Sequence, residues 1–190
     1  MIVAGALYAK SGRAVQISDS NNKVILSADD QGATVFMLVG CRAWNNVSDD
    51  LRPHCYSLVD VNRPDWYVRD YGDFLHVNPE SSPPNPVFFN IESSFILHSD
   101  TFYPGYYALE SVKFPNHYIQ SQDDGRLQIA ERNDTTEYND TASFLISHYS
   151  TSSKLLFFVP LTYTLMMMMK LPILPRAEKL ELVLSTAPRT

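Results

Sequence analysis

At 190 residues the chain has room for one domain, or one domain and a tail. Its net charge of -6, from 15 basic and 21 acidic residues with no basic cluster, excludes nucleic acid as a partner. Two cysteines and five histidines without ligand spacing give no sign of a metal, a cofactor or a redox motif.

In chain order, the start Met1-Ile2-Val3-Ala4-Gly5-Ala6-Leu7 has no basic n-region and too short an apolar core for a signal peptide. The chain therefore reads as a fragment of a longer protein or as one that is not exported. A first strand is expected over 3–8, and Gly12-Arg13-Ala14-Val15-Gln16-Ile17, Val24-Ile25-Leu26 and Ala33-Thr34-Val35-Phe36-Met37-Leu38 supply three more short segments. Cys41 and Cys55 lie in the stretch that joins this block to the next. In an oxidising compartment they close one loop of about 15 residues, worth roughly 3 kcal/mol; in the cytosol they are two unrelated thiols. Asn46-Val47-Ser48 in the same stretch is a glycosylation sequon, and Asn133-Asp134-Thr135 and Asn139-Asp140-Thr141 are two more, all read as loops. Cysteines and sequons together favour an extracellular or secretory-pathway protein.

The next segments repeat one another at an offset of about fifty residues, the mark of stacked copies of one structural unit. Tyr56-Ser57-Leu58-Val59-Asp60-Val61-Asn62-Arg63-Pro64-Asp65-Trp66-Tyr67-Val68 runs parallel to Tyr107-Ala108-Leu109-Glu110-Ser111-Val112-Lys113-Phe114-Pro115-Asn116-His117-Tyr118-Ile119. Ser93-Ser94-Phe95-Ile96-Leu97-His98 then matches Ala142-Ser143-Phe144-Leu145-Ile146-Ser147. The block before Cys41 is a fainter third copy. Each copy reads as four strands, over 107–112, 117–121, 126–129 and 143–147 in the last, with turns at Phe114-Pro115-Asn116 and Asp123-Asp124-Gly125 and a polar break from 131 to 140. No helix is expected between them. Repeats at about 1–40, 55–100 and 106–149 make residues 1–150 an all-β domain, and three four-stranded units are the arithmetic of a β-trefoil.

Residues 151–190 belong to no copy. The apolar run 155–169, between Lys154 and Lys170, is shorter than the roughly twenty residues of a membrane span and contains Pro160. An appended strand or helix packing on the domain is the leading reading. A short membrane anchor, or an aberrant tail given the run Met166-Met167-Met168-Met169, are the others.

The phrase Leu109-Glu110-Ser111-Val112-Lys113-Phe114-Pro115-Asn116-His117-Tyr118-Ile119, with Leu127-Gln128-Ile129 and Ala142-Ser143-Phe144, resembles the arabinose-binding domain of α-L-arabinofuranosidases of the B type (AbfB). That family writes each repeat roughly as S-x-E-S-x-N-x-P-G-x-Y-L-R-H, then L-x-L, then D-A-S-F. The resemblance covers about 3–149, is strongest from 56 to 147, and implies a β-trefoil that binds arabinofuranose side chains of polysaccharides. It places the sugar between the His of the first phrase and the Asp of the last. Those positions are Asp70 and Glu92 in the second copy, Ser121 and Thr141 in the third, and about Ile17 and Ala33 in the first. Only the second copy keeps two strong acceptors, so Asp70 and Glu92 are the candidate sugar ligands, with Trp66, Tyr71 and His76 beside them.

The leading expectation is a non-catalytic, lectin-like carbohydrate-binding module appended to a larger protein such as an α-L-arabinofuranosidase. In that family the hydrolytic residues sit in a separate domain, and Asp123-Asp124 here has the look of a turn. The alternative is a structural or protein-interaction trefoil in an extracellular multidomain protein, its sugar positions decayed.

Overall fold

The computed structural model describes residues 3–27, 32–81, 87–149 and 155–156. The chain divides into two units, Met1–Phe158 and Val159–Thr190, and every described residue belongs to the first. The expectations for the 155–169 run therefore lie outside the described residues, apart from Leu155 and Leu156.

The described chain is almost wholly β. The first copy contains β1 (Val3–Ala9), β2 (Val15–Ile17), β3 (Val24–Leu26) and β4 (Val35–Gly40). The second contains β5 (Cys55–Asp60), β6 (Arg63–Asp70), β7 (Leu75–Pro79) and β8 (Phe95–Ser99). The third contains β9 (Tyr107–Ser111), β10 (His117–Ser121), β11 (Leu127–Glu131) and β12 (Phe144–Tyr149). A short β13 (Leu155–Leu156) pairs with β12.

Six strands pair into a closed ring. Within each copy the first strand pairs with the fourth, as β1 with β4, β5 with β8 and β9 with β12. Between copies the fourth strand pairs with the next first strand, as β4 with β5, β8 with β9 and β12 with β1. Closure satisfies backbone groups that a single copy would leave on open edges. The middle strands form three hairpins, β2–β3, β6–β7 and β10–β11. Single bridges, Lys23 to His76 and Ile25 to Arg126, join β3 to its counterparts β7 and β11.

The core is built from the same few positions in each copy. Leu7, Leu58 and Leu109 come from the first strands, Val15, Val68 and Ile119 from the second, Val24, Leu75 and Leu127 from the third, and Phe36, Phe95 and Phe144 from the fourth. All are at least nine-tenths buried, and burying each such side chain contributes roughly 1.5–3 kcal/mol. Tyr67 and Tyr118 are buried in two smaller core clusters, with Phe89 and with Tyr138 respectively. Asn116, where the family phrase has Gly, holds a left-handed φ of 62°, which asparagine tolerates better than most residues.

The expectation of no helix between strands is corrected at two points. Helices α1 (Phe89–Glu92) and α2 (Thr136–Thr141) each immediately precede a closing strand. In α2 the Thr135 hydroxyl accepts from the Tyr138 N–H, and buried Tyr138 donates its hydroxyl to the Ala130 carbonyl. Segments so short show no 3.6-residue periodicity, and α2 falls mostly within the stretch 131–140 read as a polar break.

Candidate functional site

The chemistry collects where β6 ends. Alternation along this strand puts Val68 in the main core and Tyr67 in the cluster with Val59 and Phe89. Arg69 and Asp70 follow, and both are buried. The turn beyond them is set by Gly72, whose φ of 87° suits glycine and whose N–H donates to Asp70 Oδ1 at 3.2 Å.

Four charges meet here. Glu92, the last residue of α1, accepts from Arg69 Nη2 on one carboxylate oxygen and from Lys113 Nζ, at 2.9 Å, on the other. Lys113 Nζ also lies 3.8 Å from Asp70 Oδ2. The Arg69 guanidinium stands 5.3 Å from the centre of the Phe89 ring and 5.6 Å from that of Tyr71, within cation–π range. Burial pushes the Asp70 carboxyl above the ordinary carboxylate range, against the opposing pull of Lys113 and the Gly72 N–H. Burial, followed by the Lys23 and Arg69 charges, lowers His76.

A cleft of about 250 Å³ is lined by Asp70 and Gly72 of the second copy and by Lys113, Phe114, His117 and Ile129 of the third. Phe114 is 41% exposed and its ring lies 5.7 Å from that of His117. A carboxyl acceptor, an ammonium donor and an imidazole beside an exposed aromatic face suit a small polyhydroxylated ring. Among the described residues no group of three His, Cys, Asp or Glu side chains is placed to hold a metal.

The structure thus separates the candidate residues. Asp70 lies on the cleft. Glu92 does not line it: both its oxygens are engaged, and it holds Lys113 in place. Arg69 and Lys113 lie against the two carboxylates and offset their mutual repulsion. Tyr71, 51% exposed, stands beside His76 with ring centres 5.4 Å apart, neither of them in the cleft wall. Trp66 packs on the main core under the Arg63 guanidinium, 4.4 Å away, and is four residues or roughly 13 Å along β6 from Asp70.

The same junction recurs between the first two copies. A more open groove of about 590 Å³ is lined by Gln16, Ile17, Ala33 and Thr34 of the first copy and by Asp60, Asn62 and Arg63 of the second. Asn62 and Lys113 occupy the same place in the repeated phrase, the Asn of N-x-P. In the third copy the corresponding polar side chains are spent on one another: Ser121 Oγ donates to the Thr141 carbonyl at 3.2 Å, and Gln120 Nε2 to Thr141 Oγ1 at 2.9 Å.

Sequence reasoning missed Lys113, Phe114 and His117, because it sought each site inside one copy. Cys41 and Cys55 form a disulfide, with an S–S distance of 2.04 Å. Of the three sequons read as loops, only Asn133 lies in one; Asn46 ends the 3-10 turn Trp44–Asn46 and Asn139 sits within α2.

Solved structures share this fold. An arabinofuranosidase complexed with arabinofuranosyl-alpha-1,2-xylobiose superposes with a TM-score of 0.59 at 20% identity, over 75% of this chain and 30% of that one. A GH54 α-L-arabinofuranosidase soaked with a cyclic sulfate inhibitor gives 0.58 at 19%, over 75% and 30%. A GlcNAcα1-4Gal releasing endo-β-galactosidase from Clostridium perfringens gives 0.55 at 13%, over 78% and 33%. The chain thus spans about a third of the length of these proteins. No curated protein sequence matches it. The profile of the alpha-L-arabinofuranosidase B (ABFB) domain matches residues 42–146, and the chain belongs to that family.

Proposed function

We propose that this chain is a non-catalytic carbohydrate-binding module, a β-trefoil that binds arabinofuranose-bearing polysaccharide as an appendage of a larger secreted glycoprotein. Residues 1–150 are the module, and 151–190 are not part of its repeats. The closed six-strand ring, the three hairpins and the threefold recurrence of core positions support the trefoil reading. The disulfide supports an oxidising compartment. The observation that carries the binding role is the cleft lined by Asp70, Lys113 and Phe114, inside the stretch that matches the family. Asp70 and Lys113 pair with ring hydroxyls there, and Phe114 offers its face to the sugar's C–H surface. Affinity at one such shallow site is weak, and linkage to other sugar-binding domains raises it.

Calorimetric titration of the whole chain with arabinofuranosyl xylo-oligosaccharides tests this. Saturable binding that is lost in D70A and weakened at least about tenfold in F114A, equivalent to 1.4 kcal/mol, is the expected result. No heat of binding at millimolar sugar sinks the proposal.

A second reading, a structural or protein-interaction trefoil with decayed sugar positions, draws on the engagement of Glu92 by two cations and on the mutual hydrogen bonds of Ser121, Gln120 and Thr141. Intact sugar binding in the wild type, abolished by D70A, counts against it.

A further inference from the structure

We propose that Asn133 carries an N-linked glycan and that nearby Asn139 stays bare. The inference rests on the secretory-pathway reading above, because the glycan is added in that compartment. The step joins the anomeric carbon of an oligosaccharide to Asn133 Nδ2. It breaks the bond from that carbon to the diphosphate of a polyprenyl-linked donor, which leaves with the electron pair, while Nδ2 gives up a proton. No oxidant or reductant enters.

The two sequons are alike in sequence and unlike in place. Asn133 is exposed, and so are its neighbours from Glu131 through Glu137, which leaves room for a branched sugar. Its Oδ1 accepts from the Thr135 hydroxyl at 2.5 Å and from the Thr135 N–H at 3.2 Å. Neither contact uses Nδ2, the atom that is glycosylated. Both contacts span two residues, so the turn that presents the asparagine forms locally, before the chain has folded.

Asn139 has the opposite surroundings. It lies within α2, its backbone N–H donates to the Thr135 carbonyl at 3.0 Å, and its Oδ1 is closed off from solvent with no partner. Asn139 is half-buried, so its side-chain amide is less open to a branched sugar than that of Asn133. The sequon hydroxyl is also committed: Thr141 Oγ1 donates to the Glu137 carbonyl at 2.9 Å and accepts from Gln120. At Asn46 the asparagine is exposed, but it is held in the 3-10 turn Trp44–Asn46 rather than presented by a loop. Asn133 is thus the sequon in which exposure and the hydroxyl-to-amide contact coincide.

The test directs the whole chain into the endoplasmic reticulum of eukaryotic cells with a cleavable leader. The secreted protein's intact mass is then compared before and after peptide N-glycosidase. Wild type and N46Q/N139Q, which keeps only Asn133, are expected to lose a glycan mass and gain an aspartate at 133. N46Q/N133Q, which keeps only Asn139, is expected at its bare mass with unchanged circular dichroism. Folded, disulfide-bonded protein with a bare Asn133 overturns the proposal, as does a secreted N46Q/N133Q chain carrying a glycan. Because the leader imposes the route, such a failure leaves the natural compartment untouched. Locating the native protein in its own cells decides that separately.

Discussion

The Glu92 carboxylate is shared between Arg69 of its own repeat and Lys113 of the next, so one buried anion ties two repeats together. Replacing it leaves the fully buried Arg69 without its counter-charge and Lys113 with only Asp70, 3.8 Å away. E92A is therefore expected to lose about 3–5 kcal/mol of stability, the range for breaking a buried pair from one side. Removing Arg69 as well relieves the orphaned charge. R69M/E92A is expected to unfold at a higher denaturant concentration than E92A, and equal midpoints would show that Arg69 does not depend on Glu92.

The recurrence of Leu7, Leu58 and Leu109 in one core makes a second prediction. If the three copies are equivalent units around a shared centre, each Leu→Ala change opens a similar cavity. Losses of about 2–5 kcal/mol are expected at all three positions. Urea midpoints measure this, and a Leu7→Ala change that costs less than about 0.5 kcal/mol would separate the first copy from the other two.

These leucines were legible in the sequence because a strand's core positions alternate and the copies repeat them. The turns at Pro115 and Gly125 were legible for the same local reason. The site was legible only in half. Asp70 follows from its place in a repeated phrase, but most residues lining its cleft belong to the next copy, and an alignment of copies does not say which copies touch. Lys113 carried a signal that went unread: it stands where the family phrase has Asn, and that place in the second copy, Asn62, faces the neighbouring groove. The partnership of Glu92 with Arg69 was beyond reach, since it depends on α1, a helix of one turn between strands.

The disulfide closes the loop that joins the first and second repeats, with 14 residues of separation between Cys41 and Cys55. Its loss frees the unfolded chain more than it disturbs the fold. Cys41 and Cys55 belong to a small cluster with Ala43, Val47 and Ile96, outside the main core. C41S/C55S is expected to lose roughly 3 kcal/mol and keep the wild-type circular dichroism spectrum. A collapse of the spectrum would mean that the bond determines the fold rather than stabilising it.

The pH dependence follows from Asp70, whose carboxyl is raised mainly by burial. A carboxyl raised in the folded state binds its proton more tightly there than in the unfolded chain. Its contribution to stability is therefore fully present below the unfolded value, near 3.8, and is lost as pH rises through the higher folded value. At neutral pH the ionised, desolvated group works against folding. D70N, which keeps the shape and removes the titration, is expected to be more stable than wild type at pH 7 and to lose that advantage in acid. Paired thermal melts of D70N and wild type from pH 3 to 7 measure the difference. A gap that stayed constant across the range would mean that the Asp70 proton does not distinguish the folded from the unfolded chain. The same substitution removes the cleft's carboxylate acceptor, so the stabilised variant should also bind arabinofuranosyl oligosaccharide more weakly. A site that trades stability for binding in this way is the pattern expected of a working pocket.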